Sequence, residues 1–307
     1  MEHNIRRLKA LIAVSEAHSV ARAATRLHVS QPAVTKSIRE LERDLGASLF
    51  ERTAGGMVLT KAGDAMVRHA KLAFAELSLA EHEIAALSGQ AAGRVTIGAL
   101  PFARTRLVPL AVTRLTARHP DLQISIADGE FSAMVEPLRS GDLDYVVGAL
   151  RADGLPKDLT QVTLFHDPLA VVARRGHRLA SRTRLTAKDM TDTGWVLPPE
   201  GAPMRRLFDS YLQRSKLPSP NHVIETPSLV SMRAILMESD RLGVISQHRV
   251  YYEMQAGQLT TLPLDLRKTA RPIGVIMRTH GSLSAAAKLL LTEVRRVAKE
   301  VAAPSSP

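Results

Sequence analysis

Apolar residues recur at helical spacing in three short segments before residue 46. Residues 5–16 and 20–27 each carry an apolar face, and Ser19 is placed to cap the second of these helices. Ser30 is placed to cap a third helix, and Gly46 follows its last apolar position, where glycine commonly ends a helix. The apolar face of the third helix consists of Val34, Ile38, Leu41 and Leu45. The pattern therefore predicts three helices, with a tight turn between the second and the third.

A short helix, a tight turn and a capped helix are typical of the helix-turn-helix, whose last helix enters the major groove of DNA. The outer side of the third helix carries residue types that suit this task. Gln31 can form two hydrogen bonds with adenine, the methyl of Thr35 can contact that of thymine, and Lys36 can reach guanine or phosphate. The alternative is a three-helix packing unit with a polar outer face, and the helical pattern alone leaves both readings open.

A β-hairpin is predicted directly after these helices. Residues 49–52 and 57–59 have the pattern of two strands, and residues 54–56 suit the turn between them. Such a hairpin is the wing of a winged helix, with Arg52 at its base, where it can enter a narrow minor groove or hold a phosphate. The candidate DNA-contacting residues are Ser19, Arg22, Ser30, Gln31, Pro32, Ala33, Thr35, Lys36, Arg39 and Arg52.

Residues 61–88 predict one long helix, because they contain no proline and follow Thr60, which is placed to cap them. Their apolar positions alternate between spacings of four and three, the heptad pattern of a helix that pairs with another helix. At ~1.5 Å per residue the helix reaches ~42 Å, too long to bury its seam on a small wing domain. We expect a second copy of the chain as the partner, and packing within the chain is the alternative. The seam residues are Met66, Ala70, Ala73, Leu77, Ala80, Ile84 and Leu87.

Strand and helix patterns alternate beyond a small-residue hinge at residues 89–93. The predicted strands are 94–100, 122–127, 144–150, 169–173, 222–225, 242–246 and 272–278, and the predicted helices are 104–118, 131–140, 203–216, 228–239 and 282–301. Such alternation favours parallel sheets with crossover helices. Two successive α/β units of this kind predict a cleft between them, where small ligands bind at strand ends and helix N-termini.

Candidate ligand-binding residues follow from this geometry. The strand-to-helix turn at residues 100–105 has free backbone amides that suit a carboxylate, a phosphate or a hydroxyl. Other candidates lie at strand ends and helix starts of both units, and the alternative for each is a structural loop or a helix cap. The candidates are Leu100, Pro101, Phe102, Gly129, Gly148 and Ala149 in the first unit and Pro199, Met204, Thr226 and Ser228 in the second.

Composition narrows the class of protein. The net charge of +11 favours a polyanionic partner, although the positive charge extends over the whole chain. The absence of cysteine excludes disulfides and thiolate chemistry. We found no apolar stretch long enough to span a membrane and no secretory leader, which favours a cytoplasmic protein. Nucleotide-binding, metalloprotease and serine-hydrolase motifs are missing, so an enzyme is not expected.

An ordered set of motifs resembles the family of LysR-type regulators over about sixty residues. The landmarks at residues 140–144 and 176–179 resemble the effector domain of the same family. The set comprises Ala23-Ala24, Val29-Ser30-Gln31-Pro32-Ala33-Val34-Thr35, Ile38-Arg39-Glu40-Leu41-Glu42, Leu45-Gly46, Leu49-Phe50-Glu51-Arg52 and Leu59-Thr60-Lys61-Ala62-Gly63.

The resemblance implies a winged helix-turn-helix domain at residues 1–60, a linker and dimerisation helix at 61–89, and an α/β effector domain like periplasmic binding proteins at 93–302. Its subdomain I would comprise about residues 93–165 and 271–302, and subdomain II about residues 166–268, with crossings near His166 and Lys268.

The implied function is transcriptional regulation, often activation, by a homodimer or homotetramer. The implied partners are double-stranded promoter DNA, RNA polymerase and a small-molecule effector, with no cofactor and no membrane. Residues 34–37 and 195–199 resemble regulators of sugar uptake and of aromatic-acid breakdown, so a sugar or an aromatic acid is the expected effector. A cytoplasmic α/β protein that binds a small molecule without reading DNA is the alternative.

Overall fold

The computed structural model describes residues 5–53, 56–87 and 93–302. Three helices and a two-stranded hairpin form the N-terminal unit. Their bounds are α1 (Ile5–Ala17), α2 (Val20–Leu27), α3 (Gln31–Leu45), β1 (Phe50–Thr53) and β2 (Gly56–Leu59). Among the predicted hairpin residues, 54 and 55 lie outside the described part of the chain.

Local side-chain chemistry sets the ends of these helices. The Oγ of Ser19 accepts a hydrogen bond from the backbone N–H of Arg22 at 3.4 Å, and the Oγ of Ser30 accepts one from that of Ala33 at 3.4 Å. Gly46 ends α3 with a φ of 66°, which glycine adopts without steric cost. The core beneath includes Leu11, Val14, Ala23, Val34, Ile38 and Leu41. The predicted helical face of α3 is confirmed except for Leu45, which is only partly buried.

The wing is attached to α3 by a carboxylate and to the next helix by a threonine and a glycine. The Oε1 of Glu42 accepts hydrogen bonds from the backbone N–H groups of Leu49 at 2.7 Å and Phe50 at 3.4 Å. Thr60 caps the following helix by accepting from the N–H of Gly63 at 3.0 Å. A Cβ on Gly63 would lie 2.0 Å from the carbonyl oxygen of Leu49, so only glycine allows this close approach.

The long helix α4 (Lys61–Leu87) follows the wing and packs on two parts of its own chain. Its first turns close the N-terminal core, because Ala70 is buried and Met66 packs against the core residues. Farther along, a Cβ on Gly141 of the C-terminal region would come within 2.7 Å of the Cβ of Ala75. The predicted seam therefore needs correction at its start, since Met66 and Ala70 already pack within the chain.

The rest of the seam lies on the surface of α4. Leu77 and Ile84 are 51% and 64% exposed, and Ala73 and Ala80 are also exposed. The side chain of Leu87 lies outside the described residues. A surface of this kind remains available to a second copy.

Residues 93–302 form two five-stranded sheets, each flanked by helices. The first sheet has the order β4-β3-β5-β12-β6. Its strands are β3 (Arg94–Ala99), β4 (Gln123–Asp128), β5 (Tyr145–Ala149), β6 (Leu159–Asp167) and β12 (Arg271–Arg278), packed with α5 (Leu107–Thr116), α6 (Phe131–Ser140) and α11 (Ala285–Ala302). Strands β3, β4 and β5 are parallel, whereas β12 runs antiparallel to β5 and β6.

The second sheet has the order β11-β7-β10-β8-β9. Its strands are β7 (Ala170–Arg174), β8 (Trp195–Leu197), β9 (Val223–Glu225), β10 (Leu242–Ile245) and β11 (Leu259–Leu262). The helices here are α7 (Ala187–Thr191), α8 (Pro203–Arg214), α9 (Leu229–Met237) and α10 (Tyr251–Gln255). Strand β7 is antiparallel to β10 and β11.

Two predictions for this region were wrong. Both sheets are mixed rather than parallel, because the chain returns between them in extended form and adds antiparallel strands. The helix predicted from residue 104 begins at Leu107, after a turn at residues 101–106. The sequence patterns also missed β6, β8 and β11.

The chain crosses between the sheets twice, next to His166 and next to Lys268. The two crossings lie side by side, since Asp167 at the end of β6 pairs in register with Arg271 at the start of β12. The backbone N–H of Leu169 donates to the Oγ1 of Thr269 at 2.9 Å and ties the crossings together. Within the described residues, no helix is both long and apolar enough to cross a membrane.

Candidate DNA-reading face and ligand cleft

The outer side of α3 forms a shallow polar groove. Gln31, Pro32, Lys36 and Arg39 are exposed there, and Thr35 is half-buried between them. Ala33 is also exposed, on the first turn of the helix. Because Val34, Ile38 and Leu41 hold the opposite side of α3 in the core, this set faces away from the protein. The structure thus brings six of the predicted DNA-contacting residues onto one accessible surface.

The remaining predicted contacts surround that surface. Ser19 and Ser30 use their hydroxyl oxygens as helix caps, which leaves each hydroxyl proton free to donate to a phosphate. Arg22 on α2 and Arg52 on β1 are exposed. Both cations are positioned on elements that flank α3 in the winged fold.

One acidic residue on this surface was not among the predicted DNA-contacting residues. Glu40 also lines the groove, 3.0 Å from Arg7 Nη2 and 3.9 Å from Lys36 Nζ. Arg7 of α1 also reaches Asp44 at 2.6 Å and so fixes α3 against α1. The spacing of four residues between Lys36 and Glu40 was the available signal.

A cleft of about 1350 Å³ lies between the two sheets of the C-terminal region. Loops and helix starts of both subdomains line it, as the α/β alternation predicted. Eight predicted ligand residues are among its walls, namely Leu100, Pro101, Phe102, Ala149, Pro199, Met204, Thr226 and Ser228. The turn at residues 100–105 therefore faces Pro199 and the start of α9 across the opening.

Two predicted ligand residues do not line the cleft. Gly148 is buried with a φ of 154°, and a Cβ there would lie 2.4 Å from the Cβ of Leu100. Gly129 lies against Met134, whose methyl group would be 2.9 Å from a Cβ. Both glycines make room for neighbouring side chains, so their position at strand ends reflects packing.

Arginines dominate the polar lining of the cleft, and sequence analysis missed all of them. Arg104, Arg151, Arg206, Arg233, Arg249 and Arg271 line it together with the carboxylates Glu130 and Asp153. Four of these arginines have partners in the chain. Arg104 pairs with Asp128, Arg151 stacks 5.2 Å from the Phe131 ring, Arg206 donates to the Gly201 carbonyl, and Arg233 lies 3.1 Å from Glu253.

Arg249 and Arg271 differ from the other four because their guanidinium groups form no ion pair, ring contact or hydrogen bond within the described residues. The Nε atom of each is buried without a hydrogen-bond partner; the Nε of Arg233 is also buried without one, but it lies 3.1 Å from the Glu253 carboxylate. Burial lowers the pKa of Arg249 to about 10, with further lowering by the charges of Arg271, Arg104 and Arg233, while Glu130 acts in the opposite direction. Burial also lowers the pKa of Arg271, which the charge of Asp167 partly offsets.

A buried acid and a buried imidazole lie beside the crossings. The Oδ1 of Asp167 accepts from the Oγ of Ser246 at 2.8 Å and lies 3.8 Å from the Nε2 of His248. Burial raises the pKa of Asp167 to about 6, and burial lowers the pKa of His248 to about 4. The His248 ring packs edge-on against Phe102 and Phe165. This cluster connects the cleft wall to the two crossings.

Comparisons with known proteins match both domains of the chain. Residues 5–64 match the family model described as bacterial regulatory helix-turn-helix protein, lysR family, and residues 88–299 match the LysR substrate binding domain. The HTH-type transcriptional regulator GalR of Pseudomonas putida is 37% identical over 97% of this chain and 75% of its own length. The HTH-type transcriptional regulator PcaQ of Agrobacterium fabrum is 33% identical over 96% of this chain and 95% of its own.

Solved structures share the architecture. Full-length OxyR from Pseudomonas aeruginosa superposes with a TM-score of 0.72 at 22% identity and full coverage of both chains. CbnR complexed with its target DNA gives a TM-score of 0.63 at 21% identity, covering 96% of this chain and 99% of the other. The winged N-terminal unit, the long helix and the two-sheet C-terminal domain thus form one shared fold.

Proposed function

The chain belongs to the LysR family of bacterial transcriptional regulators, and from that premise we propose that it reads a promoter site of dyad symmetry through α3. It carries a DNA-binding helix-turn-helix and an effector-binding domain. The observation that supports the reading role is the exposed polar side of α3, whose other side is held in the core. Gln31, Thr35 and Lys36 present amide, methyl and ammonium groups that suit base edges and phosphates.

The seam on α4 supports the oligomer in this proposal. Leu77 is half-exposed on a helix about 40 Å long at ~1.5 Å per residue. A second copy packed there places two reading heads about a twofold axis and matches a site with dyad symmetry. Homodimers and homotetramers both fit this arrangement.

The cleft supports control by a small molecule. A ligand held between the subdomains changes the angle between them and thereby the spacing of the reading heads. The expected ligand is a sugar or an aromatic acid, and the expected outcome is activation together with RNA polymerase. We place this function in the cytoplasm and assign no enzymatic reaction, in keeping with relatives that are regulators.

A mobility-shift assay on the intergenic DNA beside the gene tests the reading role. Specific recognition predicts binding about 10³-fold tighter than to scrambled DNA of the same composition at physiological salt. Equal affinity for both DNAs would refute it, because phosphate contacts alone give binding without sequence preference.

A further inference from the structure

We propose that the cleft binds a small organic carboxylate whose anionic group lies between Arg249 and Arg271. This inference rests on the proposed role of the cleft as the effector site and names the chemical class of the ligand. It favours an organic acid over a neutral sugar.

The first support is the charge of the lining. Six arginines face two carboxylates in the cleft, and neither Glu130 nor Asp153 forms an ion pair with any of the six in the described chain. Four arginines are engaged elsewhere, as described above. Arg249 and Arg271 each keep a buried Nε–H without an acceptor. Buried donors nearly always have a partner in a folded protein, so these two mark a place where an acceptor binds.

The second support is the cost of the present arrangement. Burial lowers the pKa of Arg249, and the charge of Arg271 lowers it further. At about 10 that pKa still leaves Arg249 charged at neutral pH, so two like charges share a poorly hydrated region in which the buried carboxyl of Asp167 offsets them only in part. An anion between them compensates both charges and the missing hydrogen bonds. Sugar hydroxyls accept hydrogen bonds but carry no charge to offset the repulsion.

The third support is the shape of the remaining wall. Phe102, Met204, Leu229 and Tyr252 line the same cleft with apolar surface. A guanidinium is planar and presents paired donors that match a carboxylate. An anionic group on the arginines and an apolar body along this wall describe an organic acid better than a free inorganic anion.

The two arginines belong to different subdomains, so a ligand bound by both can control how the subdomains are arranged. Arg271 begins β12 of the first sheet, whereas Arg249 follows β10 of the second. Without ligand their repulsion favours separation of the two sides. With a carboxylate between them the same charges attract the ligand from both sides and favour closure. The anion therefore acts as the link between subdomains.

Thermal denaturation of the full-length protein tests the proposal. The probes are benzoate, cinnamate and terephthalate, each compared with the amide of the same skeleton, together with glucose and galactose. We expect at least one carboxylate to raise the Tm while its amide and the sugars do not. Titration calorimetry with that carboxylate gives the affinity.

Variants assign the effect to the two arginines. Arg249→Gln and Arg271→Gln should each weaken binding about tenfold or more, since a hydrogen bond to a charged group is lost. Arg249→Lys and Arg271→Lys keep the charge and should bind with intermediate affinity. Arg184→Gln removes the same charge from an exposed position outside the cleft and should bind as the parent does.

The ligand-free variants separate binding from folding. Arg249→Gln should leave the Tm of the empty protein unchanged or higher, because the repulsion disappears. Arg271→Gln also removes the charge that offsets the buried carboxyl of Asp167, so its Tm should be slightly lower. A loss of Tm in both glutamine variants, with no loss of affinity in either lysine variant, would assign the arginines to structure and overturn the proposal.

The failure of this inference is distinct from failure of the proposed function. Two results would overturn the anion site while specific DNA binding stands. In the first, a sugar or an amide stabilises the protein as much as every carboxylate does. In the second, none of the probes stabilises it. Loss of specific DNA binding in the mobility-shift assay would refute the regulator itself, whatever the cleft binds.

Discussion

Lys71 Nζ lies 3.6 Å from Asp142 Oδ2 and joins the long helix to the effector domain. The same ammonium lies 3.0 Å from Glu16 Oε1 at the end of α1. Although burial acts to raise the pKa of Glu16, Lys71 and Arg26 more than offset this and leave that pKa below its ordinary value. One side chain thus connects the reading head, the linker and the ligand-binding domain.

Lys71→Met should uncouple these parts with little loss of stability. Partly exposed ion pairs contribute about 1 kcal/mol or less, so the Tm should change little. The ligand-induced change in DNA affinity should shrink, because the ion pair between α4 and Asp142 is lost while the packing of Ala75 against Gly141 remains. Mobility-shift assays with and without effector measure this change in DNA affinity. Lys288→Met, on the exposed side of α11, is the control. An unchanged ligand response would exclude Lys71 from the coupling.

Thr35→Ala and Lys36→Ala should affect DNA binding differently. Loss of the Thr35 methyl and hydroxyl should reduce discrimination at one base position by about 1–3 kcal/mol. Loss of the Lys36 ammonium should weaken binding to all sequences and reduce the slope of log affinity against log salt by about 1. Titration over a range of salt with single-base variants of the site measures both. If neither variant alters binding, α3 is not the reader.

Leu77→Glu should weaken the dimer. Burial of a leucine in an interface contributes about 1.5–3 kcal/mol, so a charge at this position should raise the dimer dissociation constant more than tenfold. Sedimentation velocity at several concentrations measures it. Leu289→Glu is the matched control, because Leu289 is similarly exposed at 42% but lies on α11. Equal association of the two variants would contradict pairing through α4.

Gly63→Ala should destabilise the winged domain. Its Cβ would lie 2.0 Å from the Leu49 carbonyl oxygen, which already accepts from the Thr60 N–H at 3.0 Å. The backbone must move to relieve this overlap, at a cost of roughly 3 kcal/mol. Gly176→Ala is the control, since its Cβ would meet only the end of the flexible Arg174 side chain. Chemical denaturation should show a loss in the first variant and almost none in the second.

Asp167→Asn should stabilise the protein at neutral pH but not in acid. Burial raises the pKa of Asp167 to about 6, so the folded chain disfavours the ionised form. Folding stability should fall as the pH rises from about 4 to about 6, by roughly 3 kcal/mol in total, and stay lower above that window.

In the Asp167→Asn variant a side-chain oxygen still accepts the hydrogen bond from Ser246, but the negative charge is absent. His248, whose pKa burial lowers to about 4, acts in the opposite direction by losing stability as the pH falls. His248 is present in both proteins, so its own titration largely cancels in the difference, apart from its interaction with the Asp167 carboxyl at 3.8 Å. Urea denaturation across this pH range measures the difference, with the exposed Asp121→Asn as control. A difference that does not grow with pH would contradict the buried charge.

Features set by neighbouring residues were predictable from the sequence. Ser19 and Ser30 cap their helices through atoms three residues away, and Gly46 ends α3 through its own φ. Helix α6 was also predicted with its observed bounds, because neighbouring residues set its ends as well. The motif from Leu59 to Gly63 was also visible, but its physical cause, the close approach to Leu49, depends on the folded wing.

Features set by distant pairing were not predictable. Strand β6 carries exposed polar residues, and its place at the sheet edge depends on β12, which follows more than a hundred residues later. The ends of strands and the starts of helices predict ligand residues, whereas Arg271 begins a strand and so falls outside that pattern. Since β12 runs antiparallel to β5, its start lies at the edge where β5 ends. Charged residues that are brought together only by the order of the strands leave no pattern in the local sequence.

The adjacent crossings at Asp167 and Arg271 restrict how the ligand-binding domain can deform. Because the two connections leave from neighbouring strands, we expect the second subdomain to turn mainly about one axis that passes through them. We expect ligands of different shape to differ in how far they turn the subdomain about this axis, so that the DNA-reading end receives a graded angle instead of a choice among many conformations.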